Sequence, residues 1–393
     1  MPTDLHPDTT THVRPSTPPA TRRAHGAHER ALRLVMADRH DPLVTALGAE
    51  LRSRFEVVDQ LDVELSAGER LVTAATTFHP DRRQWAERFF KSNLGVRLRS
   101  RRAEALLRAA PASADIVFQT HALFEVADAR TVMYIDCTHR QSMDQWPDWN
   151  PLRGRALREW LGRERRQYQQ SAHVFAFSQE TATSITEEYD VPAERVSVVG
   201  AGLNVGSLPQ LTARPAGPPT VLFVGNDFVR KGGHQLLEAF ALVRRRVPAA
   251  RLQIVGTPAV TDAQPGVEVL GRIHDRARLA ELYAQADVFC LPAHFDPFPG
   301  ALLEAMAHAL PSVVTDSCGI PEIVGHEGAA LTVERGAVAQ LADALTHLLL
   351  DPAAASRMGA VARRRVEQGF LWSHVVDRMT PGLRAAAERA RAS

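Results

Sequence analysis

The feature that most constrains the fold of this chain is a repeated alternation of short apolar runs with helical stretches. The runs are rich in Val, Ile, Phe and Leu, which is typical of strands buried in a parallel sheet. The alternation occurs before and after a segment rich in Pro, Gly and Ser (204–219), a composition typical of a linker. We therefore predict an α/β protein with two doubly wound, Rossmann-like domains facing a cleft, and ligands beyond the carboxyl ends of the strands. The predicted strands are 31–37, 55–60, 115–120, 131–136, 173–178, 195–200, 220–225, 251–256, 267–271, 287–292 and 312–316.

The length of 393 residues suits two hydrophobic cores better than one. Residues 1–29 are rich in Pro, Thr and His and nearly lack large apolar side chains, so we predict a disordered N-terminal arm. Helical periodicity predicts a first helix from Pro42 to Arg54. The predicted boundaries are 30–203 for the N-terminal domain, 204–219 for the linker, 220–378 for the C-terminal domain and 379–393 for a C-terminal helix.

Composition and charge argue against several classes of protein. No run approaches the roughly 18 apolar residues that a membrane span needs. The net charge of +1 argues against nucleic acid as an obligatory partner. Cys137, Cys290 and Cys318 are widely spaced, with neither a disulfide framework nor zinc-ligand spacing, and no export signal is visible at the N-terminus. These features predict a cytoplasmic protein without a bound metal.

Residues 295–310 combine a proline-rich loop with the start of a buried helix. Two prolines flank Phe298, Gly300 follows, and apolar residues then recur at helical spacing. Free backbone N–H groups and the positive end of the helix dipole meet there, which suits an anion such as phosphate. Asp296 and Glu304 bracket this position, where carboxylates suit the hydroxyl groups of a sugar. The residues alone leave open a second interpretation, a core helix with one capping aspartate.

The same stretch resembles the E-x7-E segment of retaining GT-B glycosyltransferases of family 4, the glycosyltransferase group 1. Asp296 stands in the first acidic position and Glu304 in the second, within the run PFPGALLEAMA. The resemblance implies the GT-B fold, with acceptor binding in the N-terminal domain and nucleotide-sugar binding in the C-terminal domain. It implies a catalytic position for Asp296 and a ribose contact for Glu304. The donor-binding positions that it implies in the intervening turn are Phe298, Pro299, Gly300 and Ala301.

A second segment of the C-terminal half, FVGNDFVRKGG (223–233), also resembles this family. Gly225 ends a predicted strand, and Lys231 with the following glycine matches a Lys-Gly pair that would neutralise a diphosphate. Asn226 stands where relatives carry a basic residue, so either Arg230 supplies the missing charge or pyrophosphate binding is weaker than usual in this family. The alternative is that Arg230 and Lys231 form a solvated turn.

The nucleobase would be read by backbone groups in the loop after 267–271. The resemblance places this contact near Arg272 and Ile273. Because contacts from the backbone leave no pattern of side chains, the sequence does not separate UDP-, GDP- and ADP-linked donors.

The N-terminal half offers candidates at the end of the run TVMYID (131–136). Asp136 and His139 follow a predicted strand at the edge that faces the cleft, and His121 has the same placement after 115–120. In similar glycosyltransferases a His closes the strand corresponding to 131–136 and contacts the donor sugar or the reacting centre. Asp136 and His139 are both candidates for that role, and the alternative for His139 is a satisfied histidine in a loop.

Residues 82–108 are strongly basic, with nine Arg and Lys residues against Glu87 and Glu104. Trp85, Phe89 and Phe90 give the segment an aromatic edge. A basic helix with such an edge is suited to the surface of an anionic membrane, which predicts peripheral contact with its inner face. The alternative is an Arg-rich surface helix whose aromatic residues pack inward.

The sequence thus predicts a retaining hexosyltransferase that moves a sugar from a UDP- or GDP-linked donor to a hydroxyl acceptor, which is a glycan, a lipid or a small molecule. No metal or other cofactor is expected, since no Asp-x-Asp motif of the metal-dependent type is present. The alternative is a degenerate, non-catalytic GT-B protein that binds a nucleotide sugar or a partner. Asn226, and the absence of a glycine pair after the first strand, keep that alternative open.

Overall fold

A computed structural model describes residues 32–39, 42–110, 113–205, 207–214, 216–257 and 264–392. The predicted disordered arm, 1–29, lies outside the described residues. The predicted domain boundaries stay predictions.

The first half of the chain forms a parallel sheet in the order β2-β1-β3-β4-β5-β6. Every strand predicted for this half is present, within a few residues of its predicted bounds. The strands are β1 (Arg33–Asp38), β2 (Glu56–Asp62), β3 (Ile116–Thr120), β4 (Thr131–Ile135), β5 (His173–Ala176) and β6 (Val196–Val198). The α-helices are α1 (Pro42–Arg54), α2 (Ala67–Thr76), α3 (Arg82–Phe90), α4 (Asn93–Ala109), α5 (His139–Gln145), α6 (Gly154–Gln170) and α7 (Gln179–Thr183).

The second half forms another parallel sheet, in the order β12-β11-β10-β7-β8-β9. Its last strand, β12, was not predicted, because it is short and only partly buried. The strands are β7 (Thr220–Val224), β8 (Arg251–Val255), β9 (Val267–Gly271), β10 (Val288–Leu291), β11 (Ser312–Thr315) and β12 (Ala330–Val333). The α-helices are α8 (Gly233–Arg246), α9 (Arg276–Gln285), α10 (Gly300–Ala307), α11 (Ile320–Val324), α12 (Val338–Leu350), α13 (Pro352–Gly369) and α14 (Trp372–Ala392).

Both sheets are covered by helices and have continuous apolar strands, as buried parallel strands require. Phe118 and Val132 lie in the core of the first sheet, and Leu222 and Phe289 in that of the second. The architecture confirms the predicted α/β class with two doubly wound sheets.

The last helix, α14, returns from the second half of the chain to the first sheet. Val375, Met379 and Leu383 are buried in the same cluster as Phe118. Arg378 adds hydrogen bonds from Nε and Nη2 to the carbonyl of Val199, at 2.9 and 2.7 Å. The helix begins at Trp372 and therefore includes the predicted C-terminal segment, 379–393, as far as Ala392. This crossing ties the two halves of the chain together.

None of the described helices combines the length and the apolar character that crossing a bilayer requires.

Candidate active site

The loops after β7 and β10 bring Lys231 and Asp296 into a buried ion pair. Lys231 Nζ lies 2.7 Å from Asp296 Oδ2, and both side chains are almost fully buried. Since β7 and β10 are adjacent and parallel, their carboxyl ends lie side by side. The two residues that the sequence analysis placed at a diphosphate and at a sugar are thus in direct contact.

Arg230 lies beside this pair and is also buried. Its Nη1 donates to the carbonyl of Phe295 at 2.6 Å and lies 3.8 Å from Asp296 Oδ2, while its Nε donates to Asp227 Oδ2 at 3.3 Å. Arg230 and Lys231 therefore do not form a solvated turn. They are two cations held within one polar cluster.

Two glycines make this arrangement sterically possible. A Cβ at Gly225 would collide with the aliphatic stem of Lys231, so this glycine provides room for the lysine to reach Asp296. Gly232 has φ of 76° and would collide with the Pro292 carbonyl if it carried a Cβ. A glycine is required there for both reasons.

The N-terminus of α10 is open. Its N-cap is Pro299, which has no side-chain hydrogen bond to the helix, and a Cβ at Gly300 would meet no atom within 4 Å. Phe298 is packed against Phe177 of the first half, with ring centroids 5.8 Å apart. The carbonyl of Ala301 accepts a hydrogen bond from the Tyr283 hydroxyl at 3.3 Å, which fixes the first turn of the helix. Backbone N–H groups at such an end, with open space before them, suit an anion.

Glu304 faces Arg276 rather than solvent. Arg276 Nη2 lies 2.7 Å from Glu304 Oε1 and 3.4 Å from the Asn204 carbonyl. The arginine side chain is 57% exposed and the glutamate side chain only 11%. Glu304 borders a cavity of about 460 Å³ whose lining includes Asn204, Arg276 and Tyr283. Arg276 was missed by the sequence analysis, because no motif or spacing marks it.

The remaining predicted donor-binding residues, Asn226, Arg272 and Ile273, follow the carboxyl ends of strands in the second sheet. Asn226 is exposed. Arg272 is exposed in the loop between β9 and α9, and Ile273 packs against the apolar core. Asp275 then caps α9 by accepting from the N–H of Ala277 at 2.9 Å, which sets the end of that loop.

In the first half, β3 and β4 bring Asp136 together with His121. Thr120 pairs with Tyr134 in the sheet register, so His121 is level with Ile135 and Asp136 follows one residue later at the same end of the strands. His121 Nδ1 is 3.7 Å from Asp136 Oδ1. Burial alone would raise the pKa of Asp136, but hydrogen bonding and charge from His121 outweigh it and lower that pKa. His121 has φ of 59°, an unusual backbone conformation for a residue other than glycine, at the tip of a strand where functional residues are often found.

His139, the other candidate from that segment, has a different environment. It begins α5, is almost fully buried, and lies against Trp160 with ring centroids 5.3 Å apart. Burial, together with the nearby cations Lys91 and Arg163, lowers the pKa of His139 to about 3. The imidazole of His139 is therefore neutral at pH 7. The partner of Asp136 is His121, not His139.

A cavity of about 450 Å³ lies at the carboxyl ends of β1, β3 and β4. Its lining includes Arg39, Lys91, His121, Asp136, His139 and Trp149. Trp149 also contacts the second half of the chain, with its ring centroid 4.6 Å from Arg230 Cζ and 5.4 Å from the Phe295 ring. The indole ring of Trp149 thus lies between this cavity and Arg230, which belongs to the Lys231–Asp296 cluster.

The described part of the chain contains no group of three or more His, Cys, Asp or Glu side chains placed to hold a metal ion.

Residues 218–351 match a family model described as glycosyl transferases group 1. The chain is 30% identical over 231 residues to the glycogen synthase of Mycobacterium tuberculosis, a match that covers 56% of this chain and 54% of that enzyme. It is 31% identical over 188 residues to a GDP-mannose-dependent alpha-(1-6)-phosphatidylinositol monomannoside mannosyltransferase of the same species, which covers 42% of this chain and 47% of that enzyme. The chain spans about half the length of the curated relatives it matches.

Solved structures resemble the chain over most of its length. A sucrose-phosphate synthase from Thermosynechococcus elongatus superposes with a TM-score of 0.69 at 19% identity, covering 92% of this chain and all of that one. WaaG, a glycosyltransferase involved in lipopolysaccharide biosynthesis, superposes with a TM-score of 0.62 at 14% identity, covering 92% and 100% of the two chains. These likenesses confirm the predicted GT-B fold.

Proposed function

We propose that this protein is a glycosyltransferase, because residues 218–351 match the glycosyl transferases group 1 model and the chain has the GT-B fold. It moves a hexose from a nucleotide-sugar donor to a hydroxyl acceptor with retention of the anomeric configuration. The observation that carries the proposal is the buried cluster of Lys231, Arg230 and Asp296 beside the open N-terminus of α10.

The cluster suits the charge that develops on the departing nucleoside diphosphate. The bond between the anomeric carbon and the diphosphate oxygen breaks, and its electron pair stays with the diphosphate. The acceptor oxygen forms the new bond to the same carbon, and its proton passes to the nucleoside diphosphate. Lys231, Arg230 and the first N–H groups of α10 stabilise that negative charge from fixed, largely buried positions. Asp296 accepts hydrogen bonds from the sugar hydroxyls.

Glu304 is proposed to hold the ribose of the donor. A carboxylate can accept hydrogen bonds from two neighbouring ribose hydroxyls. In the structure one of its oxygens is occupied by Arg276, so binding of the nucleotide has to displace or share that contact. Arg276 is more than half exposed, and an exposed ion pair contributes at most about 1 kcal/mol, so its displacement is energetically accessible.

Charge neutralisation by Lys231, Arg230 and the helix N-terminus is proposed to make a divalent metal unnecessary. We expect transfer activity to be unchanged in the presence of EDTA. Loss of activity that added Mg²⁺ or Mn²⁺ restores would contradict this part of the proposal.

Peripheral contact with an anionic membrane is also proposed for the first half of the chain. Trp85 donates from Nε1 to the Ala74 carbonyl at 2.9 Å, so α2 and α3 pack together and this aromatic residue faces inward. Of the predicted aromatic edge, Phe90 is exposed (39%). The most exposed apolar residues of this region are Leu71 (73%), Val72 (53%) and Phe78 (64%), which were not predicted from the sequence. They lie on and after α2, while α3 and α4 carry exposed arginines, among them Arg82, Arg88, Arg97 and Arg101. Apolar side chains rimmed by arginines suit an anionic lipid surface.

The activity is tested by incubating the purified chain with UDP- and GDP-linked hexoses and a mixed panel of hydroxyl acceptors. Release of the nucleoside diphosphate and a glycosylated product with the anomeric configuration of the donor would support the proposal. Binding of a nucleotide sugar without turnover would support the non-catalytic alternative. Absence of binding to every donor would contradict both.

A further inference from the structure

We propose that the acceptor of this protein carries a phosphate group, and that it binds in the cavity lined by Arg39, Lys91 and Asp136. This inference rests on the proposed glycosyl transfer and specifies its acceptor. The hydroxyl that receives the sugar lies at the Asp136 end of the cavity, and the phosphate lies at the Arg39 end.

The position and size of the cavity suit an acceptor of modest size. It lies at the carboxyl ends of β1, β3 and β4, and Trp149 separates it from Arg230. Its volume of about 450 Å³ is within the usual range of small-molecule sites. A molecule bound there is adjacent to the cluster where the donor diphosphate is proposed to bind.

The Arg39 end of the cavity adjoins a largely buried cluster of charged groups. Arg39 donates to Glu64 Oε2 from Nε at 3.2 Å and from Nη2 at 3.1 Å, while Arg99 Nε lies 3.6 Å from Glu64 Oε1. Two guanidinium groups therefore share one carboxylate. Arg99 is completely buried, and its nitrogens make no hydrogen bond within the described part of the chain. A buried cation without full compensation is costly, and a bound phosphate next to Arg39 would offset that cost.

The other charged residues around the cavity have partners of their own. Asp38, which precedes Arg39, is buried and accepts a hydrogen bond from Gln60 Nε2 at 2.8 Å. Lys91 is 3.3 Å from Glu87 and also donates to the Trp149 carbonyl. At the opposite end Asp136 is paired with His121. Glu164 accepts hydrogen bonds from the hydroxyls of Tyr168 and Tyr189 and from the N–H of His139. The acids that line the cavity are thus engaged by their own partners.

Two polar atoms of cavity-lining residues lack a partner. His139 Nε2 and Trp160 Nε1 are buried and make no hydrogen bond to any residue that the structure describes. Buried polar atoms in folded proteins normally have partners. The hydroxyl groups of a sugar or polyol acceptor would provide them.

The two ends of the cavity are separated by a distance that suits a phosphorylated sugar. Arg39 follows β1 and Asp136 follows β4, and both strands neighbour β3. Two strand spacings amount to about 10 Å. A monosaccharide with a phosphate on one end and a reactive hydroxyl on the other extends over a comparable length.

Direct binding of inorganic phosphate tests the site without knowledge of the acceptor. We would measure thermal unfolding of the full chain against phosphate concentration for the wild type, Arg39→Gln and Arg33→Gln. Arg33 lies at the other end of β1 and pairs with Glu56 at 3.2 Å, so it is a matched control. We expect phosphate to raise Tm in the wild type and in Arg33→Gln, and to raise it less in Arg39→Gln, where only the proposed diphosphate cluster remains to bind it. An equal rise in Arg39→Gln and in the wild type would overturn the inference.

Transfer assays test the same site with substrates. Monosaccharides and their 6-phosphates would be compared as acceptors, with phosphatidylinositol in detergent micelles as a lipid-borne phosphate. We expect the phosphorylated member of a pair to be preferred, and Arg39→Gln to lower that preference about 10- to 100-fold, as the loss of a charge-assisted hydrogen bond would. Arg39→Lys should restore part of it. Efficient transfer to an uncharged acceptor that Arg39→Gln leaves unchanged would overturn the inference.

Failure of this inference is distinguishable from failure of the proposed function. Binding of UDP- and GDP-sugars would be measured in the same variants, and Arg39→Gln should leave it unchanged. If no nucleotide sugar binds the wild type, the proposed function is wrong. If nucleotide sugars bind but neither phosphate binding nor acceptor preference depends on Arg39, only the acceptor inference is wrong. Transfer to phosphatidylinositol but not to sugar phosphates would identify a lipid headgroup as the source of the phosphate.

Discussion

Trp149, from the first half of the chain, lies over the guanidinium group of Arg230, from the second half, with Arg230 Cζ 4.6 Å from the centre of the indole ring. Lys91 Nζ lies 5.4 Å from the same ring. The indole ring therefore lies between the proposed acceptor cavity and the proposed diphosphate cluster. It contacts one cation of each, Lys91 and Arg230. This arrangement makes the position of Arg230 dependent on residues of the other half of the chain.

Replacement of Trp149 should impair transfer more than donor binding. A cation–π contact with a partly buried arginine contributes about 0.5–2 kcal/mol, so Trp149→Ala should lower kcat roughly 2- to 30-fold through misplacement of Arg230. Trp149→Phe keeps an aromatic face and should retain most of the activity. The measurement is kcat together with the Kd of the nucleotide sugar. An equal loss in Trp149→Phe and Trp149→Ala would argue against the aromatic contact.

Lys231→Met should remove most of the turnover. Loss of one preorganised donor at a developing negative charge typically lowers kcat about 100- to 1000-fold. Because the pair with Asp296 is buried, the variant also leaves that carboxylate with Arg230 as its one remaining cation among the described residues, which should lower the free energy of unfolding.

Two further variants separate these effects. Lys231→Met combined with Asp296→Asn removes both charges, so stability should recover while turnover stays low. Arg251→Met changes an exposed cation at the start of β8, at the amino ends of the strands of the same sheet, and should behave as the wild type. Recovery of turnover in the double variant would show that Lys231 acts through folding alone.

Glu304 and Arg276 should have opposite effects on donor binding. Glu304→Gln weakens acceptance of the ribose hydroxyls, and we expect the Kd of the nucleoside diphosphate to rise about tenfold. Arg276→Ala frees the carboxylate, so the Kd should stay the same or fall slightly. Isothermal titration calorimetry with UDP and GDP would measure both. A tenfold weakening by Arg276→Ala would instead assign to the arginine a direct contact with the nucleotide.

Burial of His139 should make the protein less stable at mildly acidic pH. Its pKa is about 3 in the folded state, against about 6.5 for an unperturbed histidine. Below pH 6.5 the unfolded chain therefore binds a proton that the folded chain does not, and stability falls as pH decreases toward 3. From pH 7 to pH 5 this residue should account for a loss of about 2 kcal/mol.

The pH effect is measured by urea unfolding at pH 7 and pH 5. His139→Leu should show a smaller decrease than the wild type, by about 2 kcal/mol. His326→Leu, which changes an exposed histidine, is the control. An identical pH dependence in the wild type and His139→Leu would contradict the assignment.

Local patterns predicted most of the elements that carry the site. The helix Pro42–Arg54 has the bounds that periodicity indicated, and the strands before Gly225 and Asp136 lie where their apolar runs are. These features could be predicted because side-chain periodicity reflects the secondary structure and burial of the residues that carry it. Strand β12 lacked a comparable apolar run, and it was missed.

Contacts between distant segments could not be predicted in the same way. Trp149 and Arg230 are far apart in the chain, as are Arg276 and Glu304, and no spacing in the sequence connects them. The pairing of Asp136 with His121 rather than His139 depends on the register of β3 and β4. The return of α14 to the first sheet depends on the packing of its apolar side chains against the core of that sheet. Such relationships are set by tertiary packing.

Exposed apolar residues on and after α2 should mediate binding to anionic membranes. Leu71→Ser combined with Phe78→Ser removes two large side chains that are 73% and 64% exposed, so the fold should tolerate the change. Leu350→Ser is a matched control, because Leu350 is 63% exposed on α12 in the other half of the chain. We expect the wild type and Leu350→Ser to sediment with vesicles that contain phosphatidylglycerol, and the double variant to stay largely in the supernatant. Because the arginines of α3 and α4 contribute electrostatically, binding should also weaken as salt concentration rises. Equal sedimentation of all three proteins, or sedimentation of none, would exclude this surface as a membrane contact.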